Sequence, residues 1–139
     1  MSTRADYKKL TPIQTRWNDN DVYGHVNNVV YYAYFDTIIN EVLIHEGKLD
    51  IHSGEAIGLC VESQCKYLAP AAYPDRLEGA LRIAKLGKSS IVYELGIFKS
   101  GRDEPIAEGR FVHVFVDRET RRPTDLPAQI RAALTPLSV

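Results

Sequence analysis

The stretch from Asn28 to about Glu46 contains neither Gly nor Pro. Its length suits a helix of about five turns. Tyr31, Phe35, Ile38, Val42 and His45 recur at helical spacing, while Asp36, Thr37, Asn40 and Glu41 gather on the other side. The first two turns, Val29 to Phe35, are apolar all round. A helix half with no polar face must be covered on more than one side. A sheet wrapped around it, or a partner subunit, would supply that cover. Gly47 follows the last periodic residue and is expected to be the C′ residue that ends the helix.

Leu10 to Trp17 reads as a short strand, with Pro12 near its start where an edge position tolerates it. After the polar connection Lys48 to Glu55, Ile57, Leu59, Val61, Ser63, Cys65, Tyr67 and Ala69 alternate with Gly58, Cys60, Glu62, Gln64, Lys66 and Leu68. That is period two over a long segment, mostly apolar against mostly polar. Pro70 to Pro74 breaks the pattern. Leu77, Gly79, Leu81 and Ile83 begin a second alternating strand. Lys85 to Ser89 reads as a hairpin turn around Gly87. Ile91, Tyr93, Leu95 and Ile97 form the apolar face of the next strand, and Ser100 to Asp103 turns again.

The segment from about Ile106 to Asp117 is apolar on both faces from Phe111 to Val116, so a central place in the sheet is expected. Ala107 and Gly109 leave one face small, which lets a helix approach. Pro127 to Leu134 reads as a short terminal helix with Pro in its first turn. A strand, a long helix and then a meander of strands make an α+β arrangement. One sheet covers one side of a helix and leaves its own edges open, and dimerisation closes both.

The length of 139 residues fits a single domain over 1–139. A net charge of -1 without a basic block argues against a nucleic-acid surface. No apolar run approaches the ~20 residues that cross a bilayer, and the charged start, Met1 to Leu10, lacks the apolar core of a signal peptide. Cys60 and Cys65 lie in one strand. Their odd spacing places them on opposite faces, and two buried thiols in a reducing cytoplasm are expected.

Between the first strand and the helix runs Arg16-Trp17-Asn18-Asp19-Asn20-Asp21-Val22-Tyr23-Gly24-His25-Val26-Asn27-Asn28. Polar residues this dense at the mouth of a buried helix are costly unless bonded or used. A helix N-terminus offers free N–H groups and a positive dipole end, and Asp21 is close enough in sequence to fold back over it. Asp21 is therefore either an Asx-turn residue or a reactive carboxylate. Asp19 reads as a hydrogen-bond acceptor of the loop. Asp19-x-Asp21-x-x-Gly24 starts like a calcium loop, but Tyr23 and Val30 stand at its fifth and twelfth positions. His25, His45, His52 and His113 show no zinc spacing, and no metal is expected. Asn27 or Asn28 is expected to cap the helix, and Gly24 suits a sharp turn.

Asp19-Asn20-Asp21-Val22-Tyr23-Gly24-His25-Val26-Asn27-Asn28 followed by Tyr31 resembles the signature of the hotdog-fold acyl-CoA thioesterases of the 4-hydroxybenzoyl-CoA thioesterase type. Two further segments fit the same family. Tyr67-Leu68-Ala69-Pro70 with Pro74-Asp75-Arg76-Leu77 is similar to its strand exit and re-entry, with Pro74 where the family usually has Gly. Lys85-Leu86-Gly87-Lys88-Ser89-Ser90 is similar to its hairpin near coenzyme A.

The resemblance runs from about Arg16 to about Asp117. It implies an antiparallel sheet wrapped around a central helix, and homodimers or homotetramers with active sites at the dimer interface. It implies Asp21 as the catalytic carboxylate and the Asn28 backbone amide as the donor that polarises the thioester carbonyl. Gly24, His25 and Tyr31 would line the substrate pocket, and Lys85, Lys88, Ser89 and Ser90 would meet coenzyme A. Such an enzyme takes a small-molecule acyl-CoA, needs no cofactor and works in the cytoplasm. Two rivals share the fold: a non-catalytic acyl-CoA-binding module, and a hydratase or dehydratase whose His-plus-acid motifs are not found here. No Gly-x-Ser-x-Gly elbow is present for the α/β-hydrolase route.

Overall fold

The computed structural model describes residues 2–139. Five strands, β1 (Lys9–Gln14), β2 (Ala56–Tyr67), β3 (Arg76–Leu86), β4 (Ser90–Lys99) and β5 (Pro105–Asp117), form one sheet in the order β1-β3-β4-β5-β2. Every pairing is antiparallel. The long helix α1 (Asn28–His45) lies across one face, and the short helix α2 (Ala128–Leu134) follows the last strand.

Alternation on β3 and β4 selects the face that receives α1. Leu77, Leu81, Ile83, Ile91, Tyr93, Leu95 and Ile97 are buried, as are Phe35, Ile38, Ile39, Val42 and Leu43 of the helix. Two glycines let the helix come close to the sheet. A Cβ on Gly109 would stand 2.7 Å from the Phe35 ring, and one on Gly79 would collide with Ile38. The small face of β5 is thus a seat for the helix, as expected, and Gly79 is a second seat. β5 is interior to the sheet, between β4 and β2, but the central place belongs to β4; its Phe111, His113 and Phe115 face is buried, and its Val112 and Val114 face is only half-buried.

Several expectations are corrected. The first strand stops at Gln14, not Trp17, because Trp17–Asp19 turns into a 3₁₀ helix. Gly47 does not take the left-handed conformation that ends α1; Lys48 does, with φ 56°. Gly47 is instead a packing site, where an added Cβ would lie 2.5 Å from Ile130 of α2. Pro127 is the N-cap of α2 rather than part of its first turn.

The largest correction is β2. Its register shifts between Cys60 and Glu62, so the run of alternation does not keep one face. Cys60 pairs across the strand with His113 and Cys65 with Gly109, which share a face of β5. The two cysteines therefore point to the same side, not to opposite sides, and they are not both buried: Cys60 is exposed and Cys65 half-buried, both with free thiols. Most of β2 is exposed, including Leu59, Val61 and Tyr67. Among the described residues no helix is long and apolar enough to cross a membrane.

Candidate active site

The loop between β1 and α1 is built on Asp19. Its side chain is fully buried, which is costly for an ionised carboxylate unless every lone pair is used. Here the accounting closes. Oδ2 accepts from the Arg16 backbone N–H at 2.9 Å and the Tyr34 hydroxyl at 2.6 Å. Oδ1 accepts from Nε and Nη2 of Arg16 at 3.0 and 2.9 Å. Burial works to raise the pKa, but the bonds from Tyr34 and from the backbone and guanidinium of Arg16 outweigh it and hold the carboxyl below the ordinary aspartate value. Burial and the bond to Asp19 push the Tyr34 phenol well above its ordinary value.

The backbone carbonyl of Asp19 also accepts from Asn27 N–H at 2.8 Å, so the same residue fixes the start of α1. Asn20 bridges to Val26. The segment after β2 braces this base from outside. Val26 N–H donates to the Ala71 carbonyl at 2.7 Å, Tyr73 N–H to Asn20 Oδ1 at 3.0 Å, and the Thr15 hydroxyl to the Asp75 carbonyl at 2.5 Å. The Pro70 to Pro74 region is thus a cradle for the loop.

Above that base stands a turn. Asp21 N–H donates to the His25 carbonyl at 2.9 Å, and Gly24 N–H returns to the Asp21 carbonyl at 3.0 Å. Gly24 has φ +82°, which only glycine adopts at little cost. Asp21 Oδ1 accepts from Tyr23 N–H at 2.9 Å, the Asx-turn geometry. Among the described residues that is the one hydrogen bond its carboxylate receives, and the residue is half-exposed. Val22 and Tyr23, at the tip, are exposed.

The N–H groups at the start of α1 can be followed one by one. Asn27 N–H goes to Asp19, Val29 N–H to the Asn27 side chain at 3.0 Å, and Val30 N–H to the Asn27 carbonyl at 2.9 Å. Asn27 is therefore the cap. Among the described residues, Asn28 N–H has no protein partner. Asn28 helps to line a groove of about 290 Å³, together with His25, Val26, Tyr31, Tyr67, Leu68, Ala69 and Pro70. Burial pushes the Tyr31 phenol up to about 12, so its hydroxyl keeps its proton. The groove combines a free amide donor, an apolar and aromatic wall, and a carboxylate turn attached to it through His25.

The candidate residues from the sequence divide among three places, and Asp21 stands with Gly24 in the turn and does not line the groove. Asn28, His25 and Tyr31 meet at the groove. Gly24 shapes the turn and stands in open space, not in the groove wall. Lys85, Lys88, Ser89 and Ser90 lie elsewhere. Ser90 pairs with Val114, whereas Tyr67, at the groove, pairs with Ala107. Seven residues of β5 separate the two positions, roughly 23 Å of strand. Within one chain the hairpin and the groove are at opposite ends of the sheet. The hairpin leans on the C-terminal segment: Leu126 N–H donates to the Lys88 carbonyl, Arg131 to the Gly87 carbonyl, and Lys88 faces Asp125 at 3.9 Å.

Arg16, Tyr34 and Ala71 were not singled out for the site by sequence reasoning. Tyr34 follows Tyr31 by one helical turn, but nothing local tells that it reaches Asp19. Among the described residues no group of three or more His, Cys, Asp or Glu side chains is placed to hold a metal ion.

The model of the Thioesterase-like superfamily matches residues 15–134. The chain belongs to this superfamily. Its sheet and long helix are the superfamily's hotdog fold. The PA5185 protein of Pseudomonas aeruginosa, a solved structure, is 55% identical with a TM-score of 0.96, over 99% of this chain and 96% of that one. The 1,4-dihydroxy-2-naphthoyl-CoA thioesterase of Synechocystis superposes with a TM-score of 0.82 at 20% identity, over 90% of this chain and 93% of that one, a likeness of fold. The chloroplastic acyl-acyl carrier protein thioesterase ATL3 of Arabidopsis thaliana is 32% identical over 86% of this chain. The chain spans 64% of that relative's length.

Proposed function

We propose that this protein hydrolyses an acyl-CoA thioester to a free acid and coenzyme A, as a member of the 4-hydroxybenzoyl-CoA thioesterase type that its loop resembles. The observation that carries the reading is the unpartnered Asn28 N–H in a groove beside the Asp21 turn. A thioester carbonyl seated there accepts from Asn28 at the positive end of α1. As the carbonyl carbon becomes tetrahedral, charge develops on the oxygen that this N–H meets. Asp21 supplies the other half of the reaction. As base it takes a proton from the attacking water; as nucleophile it forms an anhydride that water then cleaves. In either route the carbon–sulfur bond breaks, the electron pair leaves on sulfur, and the thiolate needs little acid assistance.

A second copy completes the site. The exposed edge of β2, with Leu59 and Val61 open and Val29 of α1 exposed, supports pairing of two β2 strands into a continuous sheet. Such a two-fold arrangement runs the two β2 strands antiparallel. The hairpin end of one copy then approaches the groove end of the other, so Lys85, Lys88, Ser89 and Ser90 serve the partner's groove. The free thiols fit a reducing cytoplasm.

The test is release of thiol from a panel of acyl-CoAs of aromatic, short and long acyl groups. Acyl-acyl carrier protein is included because the Arabidopsis relative carries that name. Thiol release that Asp21→Asn abolishes supports the reading. Tight binding of acyl-CoA with no turnover on any arm overturns it in favour of a binding module. Light scattering checks the assembly: the proposal requires at least two copies of 15.7 kDa.

A further inference from the structure

Tyr67 belongs to the segment that marks the strand exit, and the reaction described above gives it no task. It is the last residue of β2. Its hydroxyl donates to the Asn28 carbonyl at 3.1 Å. Its ring meets buried Tyr31 edge-on, with centroids 5.5 Å apart and an interplanar angle of 76°. Loss of solvation, reinforced by Cys65, pushes the phenol up to about 12, so the hydroxyl carries its proton at neutral pH and can donate.

The first residues of a helix fray unless tied down. Asn28 and Val29 are both exposed. On one side the end of α1 is tied through Asn27 N–H to Asp19. On the other side the tie is the hydroxyl of Tyr67. The peptide plane that carries the Asn28 N–H lies between these two ties, one at the Asn27 N–H before it and one at the Asn28 carbonyl after it, and has little freedom to rotate. Directional constraint of this kind is what an oxyanion donor needs, since its value depends on where the N–H points before the charge develops.

We propose that Tyr67 is a positioning residue for thioester hydrolysis: its hydroxyl ties the Asn28 carbonyl to the end of β2 and so holds the Asn28 N–H on the line along which it meets the thioester oxygen. The proposal rests on the hydrolytic reading above. Tyr67 does not act on the substrate. It acts through Asn28, and its effect belongs to the transition state, where the oxygen carries charge, more than to binding of the ground state.

The experiment compares Tyr67→Phe with the parent on the best substrate of the panel. Phe keeps the ring against Tyr31 and removes only the donor. Tyr7→Phe is the control, because the Tyr7 hydroxyl also donates to a backbone carbonyl, that of Leu95 at 3.4 Å, away from the groove. The expected result for Tyr67→Phe is a loss of about five- to tenfold in kcat, the size of one ordinary hydrogen bond, with KM within about twofold. Backbone ¹⁵N relaxation is expected to show a looser Asn28 amide and an unchanged Ile38 amide, while Tyr7→Phe leaves kcat alone.

A rise in KM at constant kcat overturns the proposal, because Tyr67 would then be a substrate contact. An active Tyr67→Phe with parental kcat and a rigid Asn28 amide also overturns it and leaves the hydrolytic reading standing. A parent that cleaves no thioester ends both, and that failure is told apart because it appears without any substitution.

Discussion

The loop before α1 carries two aspartates two positions apart, and they live in opposite conditions. Asp19 is fully buried, and both its oxygens are occupied by Arg16 and Tyr34. Asp21 is half-exposed and receives one hydrogen bond. The base around Asp19 is bonded to α1, to the segment after β2 and to itself. The turn around Asp21 is closed by two backbone bonds and a glycine. A carboxylate whose lone pairs are all taken is a structural anchor and a poor reagent. A carboxylate with lone pairs to spare, mounted on such an anchor, is placed and available. The difference teaches a division of labour: the bonds of the inner base are taken up by placement, which leaves the outer turn as the place where, on the proposed reading, the chemistry falls.

The strongest way to break this comparison is to exchange the two roles. Asp21→Asn preserves the acceptor for Tyr23 N–H and removes the base or nucleophile. Its kcat/KM is expected to fall by at least about 10²–10⁴-fold with the thermal midpoint near the parent's. Asp19→Asn is expected to lower the melting temperature and to leave kcat/KM per folded molecule the less affected of the two. The opposite ranking in paired melts and kinetics would put the chemistry on the wrong carboxylate.

An acid titration separates the loop anchor from the core. His113 is buried beside Tyr93, whose hydroxyl lies 3.1 Å from its Nδ1, and burial holds the imidazole down at about 4. The unfolded chain binds that proton near pH 6.5, so between about 6.5 and 4 the unfolded state holds more protons and stability falls as pH falls, by at most roughly 3 kcal/mol. Asp19 works in the same direction in a lower window. Its depressed pKa contributes stability above the ordinary aspartate value, and that stability is lost below it. Urea unfolding at stepped pH is expected to show both declines. His113→Phe should remove the upper one, and a chain whose upper decline survives that change would refute the assignment.

Removing one bond from the anchor has a smaller effect. Tyr34→Phe leaves the buried carboxylate one donor short and is expected to destabilise by about 1.5–3 kcal/mol, measured by urea unfolding at neutral pH. The smallest effect is expected at the tip. Val22→Ser with Tyr23→Ser touches side chains exposed in the single chain, and a change within about 0.5 kcal/mol is expected. A tip variant as unstable as Tyr34→Phe would mean that something outside the chain, such as a second copy, covers the tip.

Sequence reading reached α1 to within a residue or two, the meander of strands, the hairpin at Gly87, the small face of β5 and the cap in the Asn27–Asn28 pair. These are near-neighbour properties. Periods of 3.6 and 2, turn residues and caps are written in residues a few positions apart. The likeness of the loop to a known signature also pointed to the superfamily that the chain belongs to, since a signature needs no packing to be recognised.

Only the tertiary structure decided the rest. A single register shift in β2 moved Cys60 onto the same face as Cys65, because one extra residue reverses every later side chain. Whether β2 was covered depended on what else packed there, and little of the chain does. Gly79 became a seat for Ile38, and Gly47 a seat for Ile130, only when the helices arrived. Asp19 was separated from Asp21 by Tyr34, fifteen positions away, and by no local signal. The hairpin that reads as part of the same site stands at the other end of the sheet. Sequence determines which conformations short stretches prefer. Burial, facing and the meeting of distant groups are set by contacts between elements, and those exist only once the chain has folded.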